Sequence, residues 1–185
     1  MLYYPARLEV ASKNAFARRV LDECLKPMLV ALVCVMAINL FFPRYAVLGH
    51  SMEPSLHESD RLFVSNVDVM TDTISRGQIV VLSAPGDNET VVKRVIGLPG
   101  ETVEIYDGLV YINGAPLHES YIHERMRFSG RWEVGANQYF VLGDNRNNSR
   151  DSSEYGPVDI SRISGVVKFR FWPLNAFSIF QPPQY

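Results

Sequence analysis

Cysteine is missing from the chain after position 34. The only two, Cys24 and Cys34, lie near its start, so no disulfide can staple residues 35–185. A domain there must be held by its own apolar core. The four histidines, His50, His57, His118 and His123, form no H-E-x-x-H pair, and no C-x-x-C or Cys/His spacing is present. No metal site and no cofactor are therefore expected. Excess charge is also lacking: the formal net charge is −2, with no basic stripe and no charged tail. That argues against a nucleic-acid partner. There is no internal repeat and no low-complexity tract. Apolar residues make up 47% of the chain, which excludes disorder and suits one domain of ordinary size.

Charge is absent altogether from one run, Met28 to Phe42, about 15 residues whose only polar member is Asn39. A spanning helix needs about 20 apolar residues, so the run is short. A buried core helix would show a polar face, and this run has none. A cleaved leader would fit the length, but Phe41-Phe42-Pro43-Arg44-Tyr45 lacks the small residues of a cleavage site. A membrane anchor over residues 27–44 is the expectation. Lys26 and Arg44 can snorkel, and Phe41, Phe42 and Tyr45 suit the interface. The basic excess lies before the run, in Arg7, Lys13, Arg18, Arg19 and Lys26. Residues 1–26 are thus expected in the cytoplasm and residues 45–185 on the far side.

Beyond the anchor no stretch keeps a helical period. Short runs rich in β-branched and aromatic residues predict strands over 79–82, 91–96, 103–106, 109–112, 139–142 and 166–171. Turn signals separate them: Pro85-Gly86-Asp87-Asn88, Leu98-Pro99-Gly100, Asp107-Gly108 and Asn113-Gly114. Asp107-Gly108 between two such runs predicts a two-residue hairpin. Residues 101 to about 138 carry that hairpin and then a polar, aromatic and charged stretch, which predicts a small insertion. The apolar segment Phe169 to Leu174 reads equally as a lipid contact or as a last core strand.

Ser51 is the candidate nucleophile, set between Gly49 and Pro54. A serine hydroxyl needs a base to take its proton. His50 and His57 are near it in sequence, with Asp60 available to orient one of them. An immediate neighbour in extended chain points the opposite way, however, and His57 reads as a solvated loop histidine. Lys93 is the other candidate. Strand alternation puts it on one face with Val91 and Val95, and a desolvated amine loses its preference for the charged form. An edge lysine snorkelling over valines has the same local sequence. The third feature is the polar run Gly143 to Ser153. It can orient an amine and a hydroxyl, or be a plain turn; Arg146 and Arg150 argue against a calcium loop.

Taken together and in order, Gly49-His50-Ser51-Met52-Glu53-Pro54-Ser55-Leu56, Asp60 to Val64, Lys93 to Glu101 and Gly143-Asp144-Asn145-Arg146-x-x-Ser149-x-Asp151-Ser152 closely resemble the motifs of type I signal peptidases. These are membrane-anchored Ser/Lys proteases that remove signal peptides from exported preproteins. The resemblance covers nearly the whole chain. It implies a mainly β fold, an antiparallel β catalytic core with a small β insertion, preceded by one N-terminal transmembrane helix. It implies Ser51 as nucleophile, Lys93 as general base and the Ser51 N–H in the oxyanion hole. By the same resemblance Ser149 hydrogen-bonds the Lys93 amine, Asp144, Asn145, Arg146 and Asp151 hold the loop, and Asp151 pairs with Arg94. The partners implied are signal-peptide-bearing preproteins and the lipid bilayer of the cell membrane. Two positions depart from many members: Gly49 stands where some carry a serine, and Ser153 where many carry an arginine. Two rivals are a self-cleaving repressor-type Ser/Lys domain, which would have no apolar anchor, and a membrane-tethered β module that binds exported chains without cutting them.

Overall fold

The structure, a computed structural model, describes Arg19 and residues 21–86 and 89–183. Asp87 and Asn88 of the expected turn, and most of the expected cytoplasmic segment, lie outside the described residues. The chain divides into two compact units, Met1–Phe41 and Phe42–Tyr185.

The first unit contains a π-helical turn, Leu21–Leu25, leading into α1, Lys26–Phe41. At 16 residues α1 is about 24 Å long, from a rise of 1.5 Å per residue. No helix among the described residues is long and apolar enough to cross a membrane. Its Met28, Leu29, Val30, Met36 and Leu40 are exposed. The helix ends at Phe41, before Pro43, whose ring cannot continue it. Arg44, expected at the end of the anchor, instead opens the first strand.

The second unit is mainly antiparallel β. Its elements in order are β1 (Arg44–Ala46), β2 (Arg61–Ser65), α2 (Val67–Met70), β3 (Ile79–Ser83), β4 (Thr90–Gly97), β5 (Thr102–Tyr106), β6 (Leu109–Ile112), β7 (Ala115–Pro116), β8 (Gly130–Glu133), β9 (Gln138–Leu142), α3 (Ser152–Tyr155), β10 (Val158–Asp159), β11 (Ile163–Trp172) and β12 (Ser178–Ile179). The larger sheet runs β1-β2-β11-β3-β4-β9-β10, with β12 on β11. The smaller runs β7-β6-β5-β8. Asp107 and Gly108 both take positive φ, 50° and 73°, as a type I′ hairpin requires. Asn113 and Gly114 do the same between β6 and β7.

Alternation explains how one sheet serves three cores. In β3, Val80 and Leu82 face one buried cluster with Val95, Val141 and Ile163. Ile79 and Val81 face another with Met52, Leu56, Leu62 and Val64. In β9, Val141 joins the first cluster, while Phe140 and Leu142 join a third with Val103, Ile105 and Val110 of the smaller sheet. The central strands are therefore buried on both faces, which is why they read as continuous apolar runs. Gly97 lies where β4 passes under the insertion. A Cβ there would stand 2.5 Å from Val103 Cγ2 and 2.9 Å from Phe140 Cβ, so only glycine fits.

Phe169 to Trp172 belong to β11, so the strand reading describes that part of the C-terminal segment. Phe169 stacks on Phe63 at 4.5 Å between centroids, and Phe63 stacks on Phe42 at 5.2 Å. Trp172 and Leu174 remain exposed.

Candidate active site

β4 carries Lys93 between two partner strands. The residue faces Val80 across the β3 ladder, and β9 joins from Arg94 onward. Lys93 is only 2% exposed. Its Nζ lies 2.8 Å from Ser51 Oγ, a hydrogen-bond distance. Burial pushes the amine below its usual range, while the charges of Asp151, Glu89 and Asp144 pull it part of the way back. A free amine in this position accepts the serine proton; an ammonium donates to the same oxygen.

Ser51 is held by a short tight turn. The chain enters through Val47, whose N–H donates to Asp60 O at 2.8 Å and whose carbonyl accepts from Ser59 N at 3.0 Å. Gly49 then takes φ +77°, which glycine alone adopts without strain. Beyond Ser51 the Glu53 N–H reaches His50 O and the Leu56 N–H reaches Met52 O. Met52 and Leu56 are buried in the core cluster beneath. The two apolar anchors thus fix the turn while Ser51 stays at its rim. Among the described residues no hydrogen bond engages the Ser51 N–H, which leaves it available to an oxyanion.

Neither nearby histidine serves Ser51. His50 Nδ1 lies 2.8 Å from Glu53 Oε1, and that contact raises the pKa of the exposed ring. His57 is exposed. The carboxylate that was open to orient a histidine, Asp60, accepts instead from the His57 backbone N–H at 2.9 Å and from Arg170 Nη1 at 2.7 Å. Among the described residues no group of His, Cys, Asp and Glu is arranged to hold a metal ion.

The loop after β9 wraps both residues. Asn145 N–H donates to Ser51 O at 3.0 Å, and its Nδ2 donates to His50 O at 3.2 Å. Gly143 lies where no side chain fits: a Cβ would stand 2.3 Å from Ser149 Oγ and 2.5 Å from Ser51 O. Asp151 caps α3 by accepting from Ser153 N, and its Oδ2 accepts from Gly143 N at 2.9 Å. Ser152, fully buried, accepts from Val141 N at 3.0 Å. Arg146 donates from Nε to Gly143 O at 3.1 Å.

Two expected contacts are replaced by others. Asp151 does not pair with Arg94, since its oxygens are taken by Gly143 and Ser153. Arg94 pairs bidentately with Asp144, at 2.8 Å and 2.6 Å, and also donates to Gly77 O and Ser55 Oγ. The antiparallel register explains the exchange: Arg94 faces Leu142, so the first carboxylate past the strand end meets it. Ser149 does not hydrogen-bond Lys93. Its Oγ is buried without a partner, against Gly143. Sequence reasoning did not find Glu119, Tyr121, Ser55 or Arg170. Glu119 and Tyr121 carry no period or motif; Ser55 lies in the Gly49–Leu56 motif and Arg170 in the 166–171 strand run, but neither is marked there as a partner, and only the need of buried charged groups for partners points to them.

A cleft of about 280 Å³ opens beside the pair, lined by Tyr45, Val47, Leu48, Ser51, Met52 and Val91 among others. β4 meets β9 only from Arg94 on, so Thr90 to Val92 have no ladder partner on that side among the described residues.

Comparison with known proteins shows the family. Residues 21–172 match the family model of signal peptidase, peptidase S26. The chain is 36% identical to a signal peptidase I of Bacillus licheniformis over 88% of this chain and 95% of that one. It is 39% identical to one of Bacillus amyloliquefaciens, over 88% and 94%, and 40% identical to one of Leptolyngbya laminosa, over 88% and 85%. A match of that extent, spanning both the Ser51 turn and the Gly143 loop, means that this chain belongs to the signal peptidase family, peptidase S26.

Proposed function

We propose that the chain is a membrane-anchored serine endopeptidase that cleaves signal peptides from exported preproteins, with Ser51 as nucleophile and neutral Lys93 as general base. The observation that carries this reading is the 2.8 Å approach of a buried lysine amine to the serine hydroxyl. Lys93 Nζ takes the hydroxyl proton as Oγ attacks the scissile carbonyl carbon. The resulting oxyanion is met by the Ser51 N–H, a type of donor worth about 3 kcal/mol in the transition state. Lys93 then gives the proton to the departing amine, which becomes the N-terminus of the mature protein. Water attacks the acyl-enzyme with the same amine as base, releasing the signal peptide carboxylate and restoring Ser51.

Extended substrate lies in the cleft as an added strand along Thr90 to Val92 of β4, on the side away from β3, where β9 does not pair with them. Val47, Met52 and Val91 offer apolar contacts to short side chains just before the cut. Asp144, Asn145, Arg146, Asp151 and Arg94 act by holding the surrounding loop and turn, and Ser149 by its proximity to Gly143.

Membrane attachment rests on α1. From Met28 to Leu40 its residues are exposed and, Asn39 apart, apolar on every side, a surface that favours a covering phase over water. The domain plan is residues 1–26 in the cytoplasm, an anchor carried by α1 within the expected 27–44, and a peptidase domain outside that begins at Phe42, with an insertion at about 101–138. The basic excess before the anchor sets that direction. A tethered module that only binds exported chains has no use for a desolvated amine beside a hydroxyl. Incubating the chain with a preprotein and weighing the products tests the proposal: one cut after the signal segment is expected, and an intact preprotein would refute it.

A further inference from the structure

The insertion takes no part in the chemistry proposed above, yet its stretch between β7 and β8 reaches into the loop that holds Ser51. Arg146 and Glu119 form a bidentate pair, Nη1 to Oε2 at 2.7 Å and Nη2 to Oε1 at 2.6 Å. Their side chains are 1% and 8% exposed. The Tyr121 hydroxyl donates to the same Glu119 Oε1 at 2.6 Å. The Tyr121 ring lies 4.0 Å from the Arg94 guanidinium carbon. Arg94 is held by Asp144, and Asp144 is two residues from Arg146. The contacts therefore close on themselves: Arg94, Asp144, Arg146, Glu119, Tyr121 and back to Arg94. Two buried cations are balanced by two carboxylates, as buried charge requires.

Each half of this ring touches one side of the reacting pair. Arg94 follows Lys93 in β4, and its Nη2 donates to Ser55 Oγ in the turn after Ser51. Arg146 Nε holds the Gly143 carbonyl, and Gly143 is wedged against Ser51 O. We propose that Glu119 and Tyr121 are positioning residues, through which the insertion fixes the Ser51–Lys93 geometry by way of Arg146 and Arg94. Neither touches the reacting atoms. The inference rests on the Ser/Lys reading and adds to it a task for the insertion.

The test uses the full chain in detergent with a peptide that spans a cleavage site. Misplacement of a reacting group by about 1 Å can cost about a hundredfold. Glu119→Gln keeps the shape and removes the charge that grips Arg146. Its kcat is expected to fall about tenfold to about a hundredfold, with KM within about twofold of the native value. Tyr121→Phe keeps the ring over Arg94 and removes the hydroxyl that donates to Glu119, so a smaller fall in kcat is expected. Glu119→Asp, which retains the carboxylate, should recover part of the rate lost in Glu119→Gln. A folded Glu119→Gln variant with kcat within about threefold of native, or with its loss confined to KM, would overturn the inference. If that variant does not fold, Tyr121→Phe decides: lowered kcat at constant KM supports it, and native kcat overturns it. Ser51→Ala in the same assay separates the two levels. Cutting by that variant would refute the Ser/Lys reading, whereas an inactive Ser51→Ala beside a native-like Glu119→Gln would refute only the role of the insertion.

Discussion

A lysine takes a proton from a serine only if it arrives uncharged, and Lys93 is placed to do so. The amine is buried, which disfavours the ammonium, although Asp151, Glu89 and Asp144 favour it. Burial outweighs them, so the free amine is within reach at lower pH than for a solvated lysine. Three predictions belong to this scale. Ser51→Ala and Lys93→Ala should each lose at least about 10³ in kcat/KM for a peptide substrate, while His57→Ala should keep its activity. The rate should fall as the medium is acidified through the pKa of Lys93; a profile flat from mildly alkaline to clearly acid pH would count against a lysine base. Stability carries the same sign. With the folded pKa below the unfolded value, the unfolded chain binds more protons between the two. Stability should therefore rise with pH from the folded pKa up to the unfolded lysine value of about 10.4. Lys93→Met should abolish that rise and melt at higher temperature, which thermal unfolding over a pH series would measure.

Among the elements, the β4–β9 ladder does most to build the site, because it sets Arg94 opposite Leu142 and so brings the Gly143 loop beside Lys93. Gly143→Ala would force a Cβ to within 2.5 Å of both Ser149 Oγ and Ser51 O. It should lower kcat about a hundredfold and cost about 1–3 kcal/mol of stability, measured by peptide kinetics and denaturant unfolding. Much of this scale was legible in the sequence. The strands β3 to β6, β9 and β11 are dense in Val, Ile and aromatics, and Asp107-Gly108 marks its own hairpin. Ser51 and Lys93 were legible as candidates only through the ordered motifs around them, since an edge lysine over valines has the same local sequence as a buried one. The unread parts depend on distant partners. β2, Arg61-Leu62-Phe63-Val64-Ser65, alternates only loosely and is a strand because β1 and β11 pair with it. Asp144 was expected merely to hold its loop, and its pairing with Arg94 comes from register rather than composition. Glu119 sits in a polar stretch where nothing local separates it from a solvated glutamate.

At the scale of the whole molecule, the peptidase unit has its own cores and begins where the helix ends. Phe42 stacks on Phe63, and Pro43 O accepts from Val64 N at 3.1 Å, so both residues belong to the β unit. A chain starting at Phe42 should fold and cut peptide substrate, while one starting at Tyr45 should be less stable; thermal unfolding and peptide cleavage of the two would check this. Loss of all activity from the Phe42 form would mean that the site needs the first unit. In the proposed reaction one amine serves one hydroxyl. The most direct test is to incubate the full chain, Lys93→Ala and Ser51→Ala with a preprotein and identify the products by mass. A single cut by the native chain and an intact preprotein with both variants is the predicted result. Cutting by Lys93→Ala at the native rate would contradict it.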